Sequence, residues 1–498
     1  MATESLSQLL YAGAAIDPEA IAVRDKDDVV SYCELIRRVE STGAALRQHV
    51  AGRGSRIAIC AANHCDHLVA YLAILVSGFV WVPLNPANGR TLNSTVMQKA
   101  DPELILVDRE SREQVPESDR IRTLETLHDD ETEFVATYAA PDDIAAIKYT
   151  GGTTGEPKGV VQTHGNMLAV IENMQSFFAF DDRDCNLAVA PLTHGSSHFM
   201  FPVLAAGGRH RFLRDRSASS IIAALRDDTS IVFMPPTLIF KLLQQGGLLP
   251  EQFPHLRHLI YSAAPMPVER IIEAQRAFGP CVSSLYGQTE APMTICALGT
   301  REMQDPGLRG KAGKACSNSQ VRVVDAAGLE LPAGTIGNIE VEGPIVMQGY
   351  LDDPGLTDAT FRDGWLKTGD LGSLDEAGCL TLSGRASEVI ITGGFNVYPA
   401  EVENVLAKAP GVRECCVYSV EDSYWGERIE AVIVADDGGK ASRSEVLGFV
   451  KEELGSIRTP KALHRVDALP RNAVGKVVRR DMPGFIQSLQ EQDDARSV

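Results

Sequence analysis

The segment Tyr149-Thr-Gly-Gly-Thr-Thr-Gly-Glu-Pro-Lys-Gly-Val160 limits the fold of this chain more than any other dozen residues. The apolar run Ala145-Ala-Ile-Lys-Tyr149 leads straight into it, so the sequence reads as a strand that ends in a turn-rich loop. Glycine lets the backbone approach a ligand closely and adopt positive φ. Successive N–H groups of Gly151, Gly152 and Gly155 can then form a nest for an anion. Thr150, Thr153 and Thr154 add hydroxyl donors, and Lys158 adds a mobile positive charge. The loop lacks the Gly-Lys-Ser/Thr ending of a Walker A sequence. Taken alone, a Gly/Thr loop is also what an ordinary surface turn uses.

The surrounding pattern decides what sheet carries this strand. Helical periodicity over 32–48 is followed by strand-like runs at 56–60, 103–108 and 145–149. Further along come a helix at 219–226, a strand at 230–234, a strand at 256–261 and a helix at 269–278. Such alternation predicts α/β layers with mainly parallel strands, whose ligands sit at the strands' carboxyl ends. From about Gly313 the texture changes to short strands at 320–325 and 337–342, which predicts a small β-rich subdomain. From about Arg385 a compact α+β unit follows, with helices at 399–408 and 444–454 and strands at 415–420 and 430–434. The polar tail 487–498 reads as disordered.

A chain of 498 residues exceeds one core and predicts at least two domains. The run 67–84 nears bilayer-spanning length, but Gly78 and Pro83 break it, so a buried helix followed by a buried strand is the better reading. No transmembrane segment is expected. The formal charge of −19 argues against a nucleic-acid partner, which leaves a basic footprint, but not against a small anion held at a local positive site. The ten cysteines contain no Cys-x-x-Cys pair and read as reduced thiols. The N-terminus shows no export signal, so a cytoplasmic location is expected.

Four further motifs follow in order: Tyr286-Gly-Gln-Thr-Glu290; Gly364-Trp-Leu-Lys-Thr-Gly-Asp370; Gly384-Arg-Ala-Ser-Glu-Val-Ile-Ile-Thr-Gly-Gly-Phe-Asn-Val-Tyr-Pro-Ala-Glu-Val-Glu403; and Pro470-Arg-Asn-Ala-Val-Gly-Lys-Val-Val-Arg479. With the glycine loop, the ordered set resembles the adenylate-forming superfamily, in particular its AMP-forming acyl-CoA synthetases and fatty-acid–CoA ligases. The resemblance covers nearly the whole chain. It implies a large N-terminal α/β domain, residues 1–384, and a small mobile α+β domain, residues 385–498. It also implies ATP, Mg²⁺ and coenzyme A as reaction partners of a carboxylic acid. A homodimer is compatible with it.

The resemblance assigns roles residue by residue. Thr150 through Lys158 would hold the β- and γ-phosphates, Thr289 would contact the α-phosphate, and Glu290 would be the magnesium ligand. Tyr286 would pack on adenine, while Asp370 and Arg385 would take the ribose hydroxyls. Lys476 would bridge the acid and the α-phosphate, making it, with Thr289, Glu290 and His194, the catalytic set. Gly394 and Phe395 would line the thiol's path once the small domain rotates. Ser387 departs from the family, where Asp or Lys is common at the hinge.

The run Ala190-Pro-Leu-Thr-His-Gly-Ser-Ser-His198 matches the family's aromatic-or-histidine motif, which would set His194 beside the acid's carboxylate. The pair His194/His198 also has metal-ligand spacing, but no HExxH pattern accompanies it. The acid pocket is expected to involve His194, Thr237, Ala263, Ala264, Pro265 and Met293, with Leu238 and Phe199 nearby. These are small or apolar, and no Arg or Lys stands among them. An apolar monocarboxylic acid, fatty or related, therefore fits best, with an aryl acid second. A stand-alone adenylation enzyme loading a carrier protein shares every motif. A non-catalytic nucleotide-binding protein would not need Lys158, Glu290, Asp370, Arg385 and Lys476 together.

Overall fold

A computed structural model describes residues 5–26, 28–151, 156–435, 442–472 and 477–496, the side chains of Gly151 and of 492–496 excepted. Among these residues three sheets organise a large N-terminal domain and a smaller C-terminal one. The first sheet has seven strands. Its centre is Val80–Leu84 and Arg56–Cys60, parallel to each other and to Leu104–Val107. These strands are short runs of β-branched residues buried on both faces, as parallel strands between helices must be. Ile144–Gly151 joins them in parallel and then returns antiparallel through Pro157–Thr163. The run 67–84 is the helix Cys65–Val76 followed by the strand Val80–Leu84, with the turn at Gly78 taking a φ of +73°. No helix among the described residues is long and apolar enough to cross a membrane.

The second sheet has fourteen strands. Cys185–Leu187, Arg209–Phe212, Ile231–Met234, His258–Tyr261 and Val282–Gln288 run parallel within it. The expected β-rich part is built onto this sheet. Ala291–Leu298 turns back antiparallel on Val282–Gln288, and Gly313–Ala315 and Cys379–Arg385 pair onward from it. The later strands thus extend the same sheet. One large core cluster spans the first helix, Leu6–Ile16, both sheets and the helix His164–Phe178.

The third sheet belongs to the small domain and pairs Val412–Asp422 with Gly426–Ala435, flanked by Ile390–Thr392 and Ala462–Val466. It buries a separate core on each face. The expectation of a disordered tail also fails: Met482–Arg496 is a helix, and Met482, Phe485, Ile486 and Leu489 pack on the sheet face of Tyr418, Val432 and Val434. All ten cysteines are free thiols.

Candidate active site

The parallel order of the second sheet brings together segments far apart in sequence. The loops after Cys185–Leu187, Ile231–Met234, His258–Tyr261 and Val282–Gln288 all leave from the carboxyl ends of neighbouring strands. They carry His194, Ala263 to Pro265, and Thr289 with Glu290, while Thr237 lies in the first turn of the helix Pro236–Leu243 that follows Ile231–Met234. An open α/β sheet presents its ligand crevice on that edge. Thr289 and Glu290 form the two-residue turn between Val282–Gln288 and Ala291–Leu298, where Gln288 pairs with Ala291. At Gly287 an added Cβ would lie 2.3 Å from the Met293 nitrogen, so only glycine lets the two strands close there. Met293 and Ala263 both hold positive φ, 59° and 72°, a conformation that costs a non-glycine residue energy and tends to mark functional sites.

The strands on either side of the glycine loop pair antiparallel, Thr150 with Lys158 and Gly151 with Pro157. Gly152, Thr153, Thr154 and Gly155 lie outside the described residues. The Lys158 ammonium stands 5.9 Å from the centre of the Tyr350 ring. The Tyr350 hydroxyl donates a 2.8 Å hydrogen bond to Glu290 Oε1. Tyr350 therefore joins the loop cation to the turn carboxylate. The turn is pinned from below: Gln162 Nε2 donates to the Thr289 carbonyl at 2.8 Å and the Met347 N–H donates to the Glu290 carbonyl at 2.8 Å. The Glu290 carboxylate keeps lone pairs beyond the one Tyr350 uses. One carboxylate completed by phosphate oxygens and water is a set that Mg²⁺ accepts, so Glu290 fits that ion. Among the described residues no group of three His, Cys, Asp or Glu could hold a metal.

A second network lies beside the turn. Asp370 and Arg385 face each other across adjacent antiparallel strands. Arg385 Nε meets Asp370 Oδ1 at 2.8 Å, and the Tyr286 hydroxyl donates to Asp370 Oδ2 at 2.6 Å. Burial and the adjacent carboxylate push the Tyr286 phenol far above its usual range, so it stays a donor. The structure thus unites Tyr286, Asp370 and Arg385. Asp370 retains capacity for more donors, as a carboxylate accepts about four.

The histidine loop forms the third part. The His194 ring is open to solvent, yet the protein surrounding it and the charge of Lys148 push its pKa down to about 4. Gly195 permits close packing, because a Cβ there would sit 2.9 Å from the Phe233 ring and 3.1 Å from Met293 Sδ. Phe233 stacks on Phe199 at 5.3 Å. Thr237 and Ala264 are half-buried, while Ala263 and Pro265 are exposed, as residues of a crevice wall are. No Arg or Lys stands among the expected pocket residues, but a buried cation lies behind the histidine loop. Lys148 Nζ lies 3.2 Å from His198 Nε2, and its charge reaches His194.

Arg385 ends its strand, and the short 3₁₀ turn Ala386–Glu388 leads into the small domain, with Ser387 exposed. Gly393 and Gly394 make a hairpin turn with φ of 57° and 82°. Gly394 and Phe395 lie on an exposed patch of the small domain with Ile391, Tyr424 and Trp425. Lys476 lies outside the described residues, but its loop is bracketed by them. Arg471 and Val477 form a bridge, and Arg471 pairs with Glu414 at 2.5 Å. Arg479 donates to the Val417 carbonyl at 2.6 Å, to Glu403 at 2.7 Å and to Glu388 of the 3₁₀ turn. Arg479 so ties the base of the lysine loop to the segment joining the domains, a contact that spacing did not reveal.

Comparison with known proteins agrees with this geometry. The chain matches the AMP-binding enzyme family over residues 10–351 and the AMP-binding enzyme C-terminal domain over residues 401–476. It is 31% identical over 496 residues to a feruloyl-CoA synthase of Amycolatopsis sp, covering 97% of this chain and 99% of that one. It is 32% identical over 351 residues to a medium/long-chain-fatty-acid–CoA ligase of Mycobacterium tuberculosis, covering 69% of this chain and 61% of the relative. Its fold resembles ATP-bound MatB from Rhodopseudomonas palustris with a TM-score of 0.85 at 30% identity, covering 95% of this chain and 98% of the other. The chain belongs to the AMP-binding enzyme family of the adenylate-forming superfamily, and it is an AMP-forming acyl-CoA synthetase.

Proposed function

We propose that this protein activates an apolar monocarboxylic acid with ATP and passes the acyl group to coenzyme A. The observation that carries the reading is the convergence of Lys158 and Glu290 on Tyr350, beside the Tyr286–Asp370–Arg385 network. A cation, a carboxylate with spare lone pairs and a second carboxylate facing a buried tyrosine together match a nucleoside triphosphate. In the first step the acid's carboxylate oxygen bonds to the α-phosphorus and the bond to pyrophosphate breaks. Both reactants are anions, so fixed positive charge lowers the barrier. Lys158 with Thr150 to Gly155 would hold the outer phosphates, Thr289 the α-phosphate, and Lys476 both acid and α-phosphate. Mg²⁺ held at Glu290 would supply further charge against the phosphates.

In the second step a thiol sulfur bonds to the acyl carbon and AMP leaves. Rotation of residues 385–498 about the segment at Ser387 would carry Lys476 away and bring Gly394 and Phe395 in. The exposure of Phe395, Tyr424 and Trp425 supports this, since bare aromatic surface of that size favours being covered. The apolar packing of Phe233 and Met293 on Gly195 of the histidine loop, with Phe199 stacked behind Phe233, supports a fatty or related acid. An aryl acid is a second reading, favoured by the near full-length similarity to a feruloyl-CoA synthase.

The Lys476→Ala variant separates the steps. Acid-dependent pyrophosphate exchange into ATP is expected to fall by about 10²- to 10³-fold, as for loss of one transition-state donor. Thioester formation from supplied acyl-adenylate should change little. Equal loss in both halves would refute the assignment of Lys476 to adenylation.

A further inference from the structure

Lys148 is a buried cation bonded to the histidine loop, and the two steps leave its chemistry unused. It lies on Ile144–Gly151, two residues before Thr150 and on the same face, by the two-residue period of a strand. Ala146, on that face, belongs to the core that contains Trp81, Phe199, Phe233, Tyr286 and Met293. Lys148 is 5% exposed. Among the described residues its ammonium makes one hydrogen bond, to His198, and stands 5.2 Å from the Trp81 ring centre. No carboxylate pairs with it among those residues, which is unusual because a buried charge without a counter-ion is costly. That cost shows in its pKa, which burial lowers to about 7.

The partner's protonation is fixed by geometry. His198 Nδ1 lies 3.2 Å from the Gly195 carbonyl, which can only accept, so Nδ1 carries the proton. Nε2 is then a bare acceptor for a Lys148 N–H. Burial and the Lys148 charge hold His198 neutral, well below its ordinary pKa. The pair therefore carries up to one net positive charge and no negative one. It stands directly behind Gly195, which packs on Phe233 and Met293, and its field reaches the open His194 ring.

Resting on the reading that this crevice selects a carboxylic acid, we propose that Lys148 binds an oxygen acceptor on the acid's carbon skeleton, apart from the carboxylate that is activated. The acid is then mostly apolar but bears one further oxygen: a ketone or a phenolic oxygen if it is the monocarboxylic acid proposed above, or a second carboxylate, which would replace that part of the reading. An ammonium held in a dry site gains most from such a group, because a hydrogen bond to a charged donor is roughly twice as strong as a neutral one. A site built around a buried polar group rejects the analogue that leaves it unpaired.

Matched acids test this through acid-dependent pyrophosphate exchange, which does not depend on the thiol acceptor. The pairs are octanoic acid against octanedioic and 7-oxooctanoic acids, and cinnamic against 4-hydroxycinnamic acid. In the wild type at least one oxygen-bearing acid is expected to exceed its plain partner by about tenfold or more in kcat/KM. In Lys148→Met that ratio should collapse to within about twofold, by loss of the oxygen-bearing acid. The arm that responds identifies a carboxylate or a neutral oxygen. The thermal midpoint of Lys148→Met should equal or exceed that of the wild type, since an uncompensated buried charge is removed. Preference for the plain acid in every pair, a ratio that survives Lys148→Met, equal loss for all acids, or a large fall in midpoint would each overturn the proposal. Exchange with no acid at all would strike the functional reading itself, whereas exchange with an unaltered ratio strikes only Lys148.

Discussion

Replacing Asp370 by asparagine is expected to lower kcat/KM for ATP by about 10²- to 10³-fold, chiefly through KM. The estimate follows from two charge-assisted hydrogen bonds to ribose hydroxyls, each worth about 1.5–3 kcal/mol. The amide keeps the shape and one acceptor oxygen, so Tyr286 can still donate. It loses the charge, and Arg385 loses the partner that fixes its guanidinium 2.8 Å away. Arg385 is more than a third exposed, so solvent compensates much of that loss and the stability change should stay below about 1 kcal/mol. The contrast between a large ATP effect and a small stability effect is the diagnostic. Titration with ATP together with chemical denaturation of D370N would measure both. An unchanged KM for ATP would show that Asp370 holds the two strands together and nothing more.

Acidification should unfold this protein before its carboxylates titrate. Burial lowers the pKa of His67, His164, His210 and His258 to about 4. His210 shows why each is held neutral: Nε2 donates to the Met200 carbonyl at 3.0 Å, and Nδ1 faces the Asn186 amide at 3.1 Å. The unfolded chain takes up protons near pH 6.5, while the native state resists until about 4. Between those values the unfolded state binds more protons, so stability falls as pH falls. At pH 5 each such histidine costs about 2 kcal/mol, and four together approach the whole stability of an ordinary domain. Urea unfolding at pH 7.5, 6.5 and 5.5 should show a steep fall in midpoint across that series. A flat or rising midpoint would contradict it.

The parallel core was legible because its strands are short runs of apolar β-branched residues between helical patterns. Sheet membership was not. The strands after Gly313 have the look of a separate unit, but the turn at Thr289–Glu290 sends the chain back along its own sheet. The polar helix Met482–Arg496 was missed for a related reason. Its order comes from Phe485, Ile486 and Leu489 docking on a distant sheet face, not from its own composition.

The site divides in the same way. Tyr286, Asp370 and Arg385 lie in motifs, and the structure brings them into one network. Tyr350 stands 60 positions from the carboxylate it bonds, so no local pattern could join it to Glu290. Lys148 carried a signal that could have been used: a charged residue inside a strand otherwise buried on both faces. A lysine placed there must meet some acceptor. Its partner, 50 positions away, appears only when the two sheets close together.

The central claim is that ATP is cleaved to AMP by way of an acyl-adenylate. Purified protein would be incubated with ATP, Mg²⁺ and a panel of aliphatic and aryl acids, with and without coenzyme A, and the products read by mass spectrometry. The account predicts AMP, pyrophosphate and acyl-CoA in equal amounts for one class of acid, with acyl-adenylate accumulating when coenzyme A is withheld. ADP and phosphate in place of AMP and pyrophosphate, or no acid-dependent product at all, would contradict it.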